Sequence, residues 1–197
     1  MLSFDEVGLI SELQKSAPRS RTAFAAACAE RLFPAYVAFS KTAGRGDAQT
    51  IGELLERIWR RLAGEPIDDT GLQADLDRCM ALVPGEDEEP WTDDQPYADD
   101  AASAVAYTLR TLQTGDAQEA AWAARRAYDA LDHHVTHRLG IDEETRIGGH
   151  PSIQAELARQ RRDLDELCAA GDSASAAITR VRDRARAEAS SFFGPPS

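Results

Sequence analysis

Lysine is almost missing from this chain: of 22 basic residues, only Lys15 and Lys41 are lysines. Basic residues of both kinds are outnumbered by 34 aspartates and glutamates, so the 197-residue chain has a formal net charge of −12. A nucleic-acid-binding surface needs positive charge to neutralise phosphates. We therefore expect no nucleic-acid partner.

Cysteines are few and widely spaced. Cys28, Cys79 and Cys168 form neither an even-numbered disulfide framework nor a close pair of the kind that binds zinc. Each falls in an apolar helical pattern, so we interpret all three as small core residues. The chain also lacks the features of a secretory signal, and its least polar stretch is far too short to cross a bilayer. We expect a cytoplasmic protein that makes no contact with membranes.

Motifs of known active sites are missing as well. The sequence contains no glycine-rich phosphate loop, no GxGxxG after a strand and no GxSxG. Enzyme activity and a bound cofactor therefore have no support from any motif. Alternating runs of β-branched residues, which would indicate strands, are not found either.

Helical periodicity runs along nearly the whole chain instead. The clearest helix is predicted after Asp47, which is expected to cap it, where one apolar stripe comprises Ile51, Leu54, Leu55, Ile58, Trp59 and Leu62. Pro34 is expected to end an earlier helix or to begin a new one. Residues 1–197 are predicted to form one all-α domain, a bundle of about seven to nine helices without a sheet. Its tail at 191–197 either docks two phenylalanine rings or stays loose.

The stretch 84–100 differs from the rest, because it holds eight acidic residues, no basic residue and three prolines. This composition predicts a long acidic loop. A solvated loop and a metal or acid–base site are two interpretations, and a docking strip for a basic protein is the third. The candidate partner-binding residues are Glu86, Asp87, Glu88, Glu89, Trp91, Asp93, Asp94 and Tyr97.

Histidines crowd a second segment of the chain. His133 and His137 lie one helical turn apart and Asp129 lies a turn earlier, a spacing that can chelate a metal ion. The apolar stripe of the same helix lies on its opposite side, so a solvated histidine face is the alternative, and no metal is assigned. Arginines and acids alternate over residues 159–188 and predict a salt-bridged surface.

A resemblance to a known family rests on residues 24–39, which read FAAACAERLFPAYVAF, on the GRGD turn at 44–47 and on the helix that ends at Trp59. These features resemble the YjaG-like family of bacterial proteins, whose members have a similar length. The resemblance is specific over residues 24–60. It implies an all-helical fold and carries no established biochemical activity.

The charged pair Glu30 and Arg31 lies beside an apolar stripe within this stretch. Either the pair is buried and fixes the geometry of two helices, or it forms the rim of a pocket together with Tyr36 and Asp47. Tyr36 itself and Trp59 are expected to bury large apolar areas.

Two functional hypotheses follow. The first is a non-enzymatic helical protein that binds a basic protein through the acidic, aromatic-bearing loop, as a regulatory adaptor or an immunity-like protein would. The alternative is an enzyme or small-ligand binder with a pocket between helices near Glu30, Arg31, Tyr36 and Asp47.

Overall fold

A computed structural model describes residues 1–66, 69–85, 90–171 and 174–193 of the chain. Nine α-helices and one π-helical turn occupy these ranges, in which no strand occurs. They are α1 (Glu6–Lys15), α2 (Pro18–Ala43), α3 (Ala48–Leu62), α4 (Asp69–Met80), α5 (Gln95–Thr114), α6 (Ala117–His133), the π turn (His134–Arg138), α7 (Glu144–Gly148), α8 (Pro151–Ala170) and α9 (Ser175–Ala189). The predicted all-α fold is confirmed.

Helix α2 is the axis of the bundle, against which α3, α5, α6, α8 and α9 pack. Its middle, residues 23–29, is rich in alanine and has no exposed surface. Alanine favours a helix and adds little bulk, so neighbouring helices can approach α2 closely. None of the helices in the described ranges is both long and apolar enough to cross a membrane.

Pro34 lies inside α2, so the predicted helix boundary at this residue is wrong. An interior proline removes a backbone hydrogen bond and costs about 3 kcal/mol. The residues that follow offset this cost, because Tyr36 and Phe39 are buried, and burying a large apolar side chain contributes about 1.5–3 kcal/mol. The helix ends only at Gly44, which takes a left-handed φ of 63°.

Helix α3 has the buried stripe that the sequence predicts. Asp47 caps it, since its Oδ1 accepts a hydrogen bond from the Thr50 backbone N–H at 2.9 Å. The turn before it requires glycine at position 46. Gly46 has a φ of 78°, and a Cβ there would lie 3.0 Å from the hydroxyl oxygen of Tyr36.

The loop predicted at 84–100 is shorter in the structure, because α5 begins at Gln95 and residues 95–100 are helical. Pro96 lies in the first turn of α5, where a missing N–H removes no intrahelical bond. The predicted loop is therefore wrong from this first turn of α5 onward. Glu86, Asp87, Glu88 and Glu89 lie outside the described residues.

The described part of the tail docks on the bundle. The ring of Phe192 is 1% exposed. The ring of Phe193 packs against Tyr97 and His134, with centroid separations of 5.1 and 5.3 Å. The tail was predicted either to dock or to stay loose, and residues 191–193 dock. Residues 194–197 lie outside the described part of the chain.

Candidate functional site

The chain leaves α6 through the π turn (His134–Arg138). Single π-helical turns of this kind are rare and are often found at functional sites. This one presents polar side chains in two directions. His133 and His137 lie beside the start of α5, whereas His134 and Arg138 lie toward the end of α9.

An open cleft of about 300 Å³ lies between the start of α5 and the end of α6, and we call it the acidic cleft. It is lined by Pro96, Asp99, Asp100, Asp129, Asp132, His133, Thr136 and His137. The lining holds four carboxyl groups and neither a lysine nor an arginine. A concave surface with charge of one sign concentrates ions of the opposite sign, so the acidic cleft is suited to a cation.

Two of the four carboxyl groups have arginine partners from outside the lining. Arg126 donates to Asp100 at 3.2 Å, and Arg125 donates to Asp129 at 2.7 Å. Within the described ranges, Asp99 accepts a hydrogen bond only from the neutral Ser103 hydroxyl, at 2.9 Å. Among the described residues neither Asp99 nor Asp132 has an arginine within ion-pair distance, so negative charge remains at the cleft.

Burial and mutual repulsion shift the titration of these groups. Burial raises the pKa of Asp100 to about 7, against the opposing effect of Arg126. Burial and the nearby Asp129 raise the pKa of Asp132. Burial, together with the neighbouring His137, lowers the pKa of His133. The cleft therefore gains negative charge as Asp100 ionises near neutral pH, while His133 stays neutral.

A second open cleft, about 490 Å³, adjoins the acidic cleft along His133 and His137, whose ring centroids are 4.3 Å apart. Its lining includes Trp91, which is 51% exposed, the exposed Asp93, and Arg138, whose charge is paired with Asp94. The face of an indole ring attracts Lys and Arg side chains. We call the combination of the acidic cleft with Trp91 and Asp93 the acidic face.

The predicted partner-binding residues separate into two groups. Trp91 and Asp93 lie at the surface, as a docking residue must. Asp94 is half-buried and forms an ion pair with Arg138. Tyr97 is 5% exposed and lies inside the bundle. The sequence pattern missed Asp132, although Asp129, Asp132 and His133 have the i, i+3, i+4 spacing that places them on one helix face.

The four residues predicted to line a pocket have separate partners instead. Glu30 accepts a hydrogen bond from the Trp59 indole N–H at 2.6 Å. The Tyr36 hydroxyl donates to the Leu82 carbonyl at 2.8 Å. Asp47 caps α3. None of these side chains lines the clefts described above, and each of these contacts joins or ends helices.

Arg31 has no exposed surface and lies in an ion network between α2 and α8. Its guanidinium contacts Glu156 at 3.0 Å and Asp163 at 2.9 Å, and these two carboxyl groups are 1% and 0% exposed. Burial favours the neutral form of Arg31, but the two carboxylates outweigh it and hold the pKa above its ordinary value. We call these three residues the Arg31 network.

The arginine-rich surface of α8 and α9 is salt-bridged. Arg180 contacts Glu166 at 2.6 Å, and Arg184 contacts Asp163 at 2.9 Å. Asp163 does not lie on the predicted salt-bridged surface, because its side chain is completely buried. Glu156 and Asp163 are seven residues apart, which places both on one face of α8 and is the signal that could have identified them.

The metal hypothesis finds no geometric support in the described ranges, where no group of three or more His, Cys, Asp or Glu side chains is arranged to hold a metal ion. Of the three candidate ligands, Asp129 accepts from Arg125. His133 packs edge-on against the Tyr97 ring, with centroids 5.2 Å apart. Of these three residues only His137 is exposed, whereas His133 is half-buried. The predicted solvated histidine face therefore fits His137 and does not fit His133.

Together these features define an all-α bundle with an acidic face beside a π turn. The chain belongs to the family described as protein of unknown function DUF416, whose model matches residues 8–194.

Its fold is similar to that of a crystal structure of a DUF416 family protein from Shewanella baltica OS155. The TM-score is 0.76 at 17% identity, over 89% of this chain and 92% of that one. Among curated proteins, the sequence comparison finds no match.

Proposed function

We propose that this protein binds a partner protein with a basic surface through the acidic face. The observation that carries the proposal is the lining of the acidic cleft, in which four carboxyl groups occur with no lysine or arginine. A Lys or Arg side chain of the partner would enter this cleft and have its charge opposed there. A regulatory adaptor or an immunity-like protein would use such a face.

The exposed indole ring of Trp91 is a second observation that supports the same proposal. Trp91 is 51% exposed, so a partner can contact its side chain. Tryptophan is enriched among the residues that contribute most to binding, and charged residues at the rim guide the approach of a partner. Trp91 would supply apolar contact and attract a cation, while Asp93 and Asp99 would accelerate association.

The test compares three forms of the protein as bait in its own host's lysate, at low and at moderate salt. The first is the wild type, and the second carries Asp99→Asn, Asp129→Asn and Asp132→Asn. The third is a matched control with the same loss of charge on exposed residues elsewhere, Asp77→Asn, Asp165→Asn and Asp183→Asn.

We expect the wild type and the control to capture the same basic protein at low salt and to release it at moderate salt, because screening weakens exposed charge interactions. The cleft variant should not capture it. Capture that is equal for all three forms would contradict the proposal, as would a captured protein that is acidic. Trp91→Ala tests the aromatic contribution in the same way.

We also propose the finer family assignment and the compartment. The motif over residues 24–60, with its charged pair, interior proline and GRGD turn, supports a place among the YjaG-like proteins. The cytoplasm as the location is supported by the cysteines, since Cys28, Cys79 and Cys168 are all unpaired. Free thiols persist in a reducing compartment. The prediction that all three are core residues is wrong for Cys168, because its side chain is exposed, whereas Cys28 and Cys79 are buried.

The alternative role, as a small-ligand binder or an enzyme, has no support at Glu30, Arg31, Tyr36 and Asp47, whose polar groups already have partners. A different cleft, on the other side of the π turn, contains the buried hydroxyl of Tyr97, which has no such partner among the described residues.

A further inference from the structure

A third cleft, of about 230 Å³, lies between α2, the start of α5, the π turn and the end of α9, and we call it the Tyr97 cleft. Pro34, Ala38 and Phe193 give it an apolar wall. Asp94, Tyr97 and Arg138 give it a polar one. An apolar cavity of about 150 Å³ can hold benzene, so a cleft of this size accommodates a ligand as large as one ring with a small polar head.

The Tyr97 hydroxyl is the feature in this cleft that points to a ligand. Tyr97 is 5% exposed, and its oxygen is buried without a well-aligned hydrogen-bond partner among the described residues, although the Arg138 guanidinium lies beside it. A buried tyrosine hydroxyl usually has a partner, because leaving it unpaired is unfavourable. Burial raises the pKa of Tyr97, with Arg138 opposing the shift and Asp94 adding to it. The hydroxyl is therefore a neutral donor and lies close to both of these charged groups.

Asp94 and Arg138 place opposite charges side by side on the polar wall, where they form an ion pair. Both remain partly open, with 25% and 47% of their side chains exposed. Thr42 also donates to Asp94 at 3.1 Å, and the Arg138 guanidinium lies 5.6 Å from the centre of the Tyr97 ring. These contacts hold both charged groups at the cleft without closing it.

The remaining titratable group of the cleft adds no charge at neutral pH. His134 lines the same cleft, and burial together with the positive charge of Arg138 lowers its pKa. The wall therefore carries one positive and one negative charge. A ligand with both charges can use the whole wall, whereas an anion would meet Asp94 and a cation would leave Arg138 unused.

We propose that the Tyr97 cleft binds a small zwitterion, namely a free amino acid with an apolar side chain of leucine to phenylalanine size. Its carboxylate accepts hydrogen bonds from Arg138 and from the Tyr97 hydroxyl. Its ammonium group donates to Asp94. The apolar side chain lies against Pro34, Ala38 and Phe193. The polar wall thus recognises the head group, and the apolar wall selects the side chain.

The test is titration calorimetry of the full chain with L-leucine, L-phenylalanine and two analogues of phenylalanine. 3-Phenylpropionate lacks the ammonium group, and phenethylamine lacks the carboxylate. We expect saturable one-to-one binding of at least one amino acid and at least about tenfold weaker binding of both analogues. No saturable heat with either amino acid up to about 10 mM would overturn the proposal. Equal binding of either analogue would also overturn it.

Two variants locate the bound molecule. Tyr97→Phe removes one hydroxyl and keeps the ring, and we expect it to weaken amino acid binding about five- to tenfold. Asp93→Asn is the matched control, because Asp93 lies near Tyr97 but does not line this cleft. Unchanged binding by Tyr97→Phe would refute the site.

This site shares Tyr97 and Arg138 with the cleft that holds Trp91, but it shares no residue with the acidic cleft. The variant with Asp99→Asn, Asp129→Asn and Asp132→Asn should bind the amino acid as the wild type does, because none of these residues lines the Tyr97 cleft. An equal loss of amino acid binding in that variant would contradict the proposed location. Thermal unfolding of each variant without ligand checks that all of them fold.

Discussion

The Arg31 network and the acidic cleft use the same side-chain types in opposite ways. Arg31 faces Glu156 and Asp163, and all three side chains are at most 1% exposed. In the acidic cleft the carboxyl groups have no cation in the lining, and the cleft is open to solvent. Arg125 and Arg126 oppose two of these carboxyl groups from outside the lining, but Asp99 and Asp132 have no arginine partner within the described part of the chain. Charge that is enclosed and opposed joins helices, whereas the open charge of Asp99 and Asp132 is available to another molecule.

The largest expected effect comes from breaking the Arg31 network. Arg31→Met leaves Glu156 buried without its closest cation, and breaking a buried ion network costs about 3–5 kcal/mol. We expect the lower part of that range, about 3 kcal/mol, because Asp163 keeps Arg184 at 2.9 Å. Urea denaturation at neutral pH measures the change.

The control for this prediction is Arg161→Met, which removes an arginine that is 56% exposed and pairs with Glu12 and Asp165. Exposed pairs contribute about 0–1 kcal/mol. Similar losses in both variants would show that the burial of the Arg31 network has no special energetic role.

Asp100 should make stability depend on pH near neutrality. Its pKa in the folded protein is about 7, above the ordinary value of about 4 for an unfolded chain. Its stabilising effect is therefore complete below about pH 4 and is lost as the pH rises through 7. Relative to Asp100→Asn, the wild type should lose up to about 4 kcal/mol of unfolding free energy over that interval.

Urea denaturation of both proteins across this pH range checks the prediction. The difference between them isolates Asp100, because His133 and the other titrating groups are present in both. A difference that stays constant from about pH 4 to 8 would contradict a raised pKa.

A smaller loss is expected when the bond between Glu30 and Trp59 is weakened. Glu30→Gln replaces a charged acceptor at 2.6 Å from the indole nitrogen by a neutral one. Hydrogen bonds to charged groups contribute about 1.5–3 kcal/mol, so a loss of about 1 kcal/mol is expected when the bond is weakened but kept. Denaturation followed by tryptophan fluorescence measures the stability, and the signal is the sum from Trp59, Trp91 and Trp122.

Glu56→Gln is the matched control, because Glu30 and Glu56 both accept from Arg186, at 3.2 and 2.6 Å, whereas Glu56 makes no contact with an indole nitrogen. Its side chain is 48% exposed, and its loss should cost less than about 0.5 kcal/mol. A larger effect for Glu56→Gln than for Glu30→Gln would reverse our interpretation.

The smallest effect on folding is expected at the acidic cleft. Replacing Asp99, Asp129 and Asp132 with asparagine should change the unfolding free energy by less than about 1 kcal/mol or raise it, because repulsion between like charges is relieved. Urea denaturation gives the value. A loss of several kcal/mol would show that these acids maintain the fold and would remove the contrast with the Arg31 network.

Local patterns were enough to predict the helices. The apolar stripe of α3 and its cap at Asp47 follow from spacing and residue type alone, and both are confirmed. Pro34 and Pro96 were interpreted wrongly for a physical reason. The rule that proline breaks a helix considers only the local chain. At Pro34 the burial of Tyr36 and Phe39 keeps the helix intact. Pro96 is tolerated because it lies in the first turn of α5.

The candidate site was only partly predictable. The acidic and aromatic composition near Trp91 and Asp93 was evident from the sequence. The pairing of α5 with α6, which brings Asp99 close to Asp132, depends on contacts between residues distant in sequence. The same holds for Arg31, since its partners Glu156 and Asp163 are more than a hundred positions away. The spacing of Glu156 and Asp163 places them on one face of α8, but it does not indicate that Arg31 is their partner.

The most direct test of the central claim is zero-length cross-linking with a carbodiimide in the host's lysate, followed by mass spectrometry. This reagent joins a carboxylate to a lysine amine only when they are in contact. The chain contributes few amines, its own lysines being Lys15 and Lys41, so links to itself are limited. We predict that Asp93, Asp99 or Asp132 becomes joined to lysines of one basic protein. Cross-links from acids spread over the whole surface, with none from the acidic face, would contradict the account.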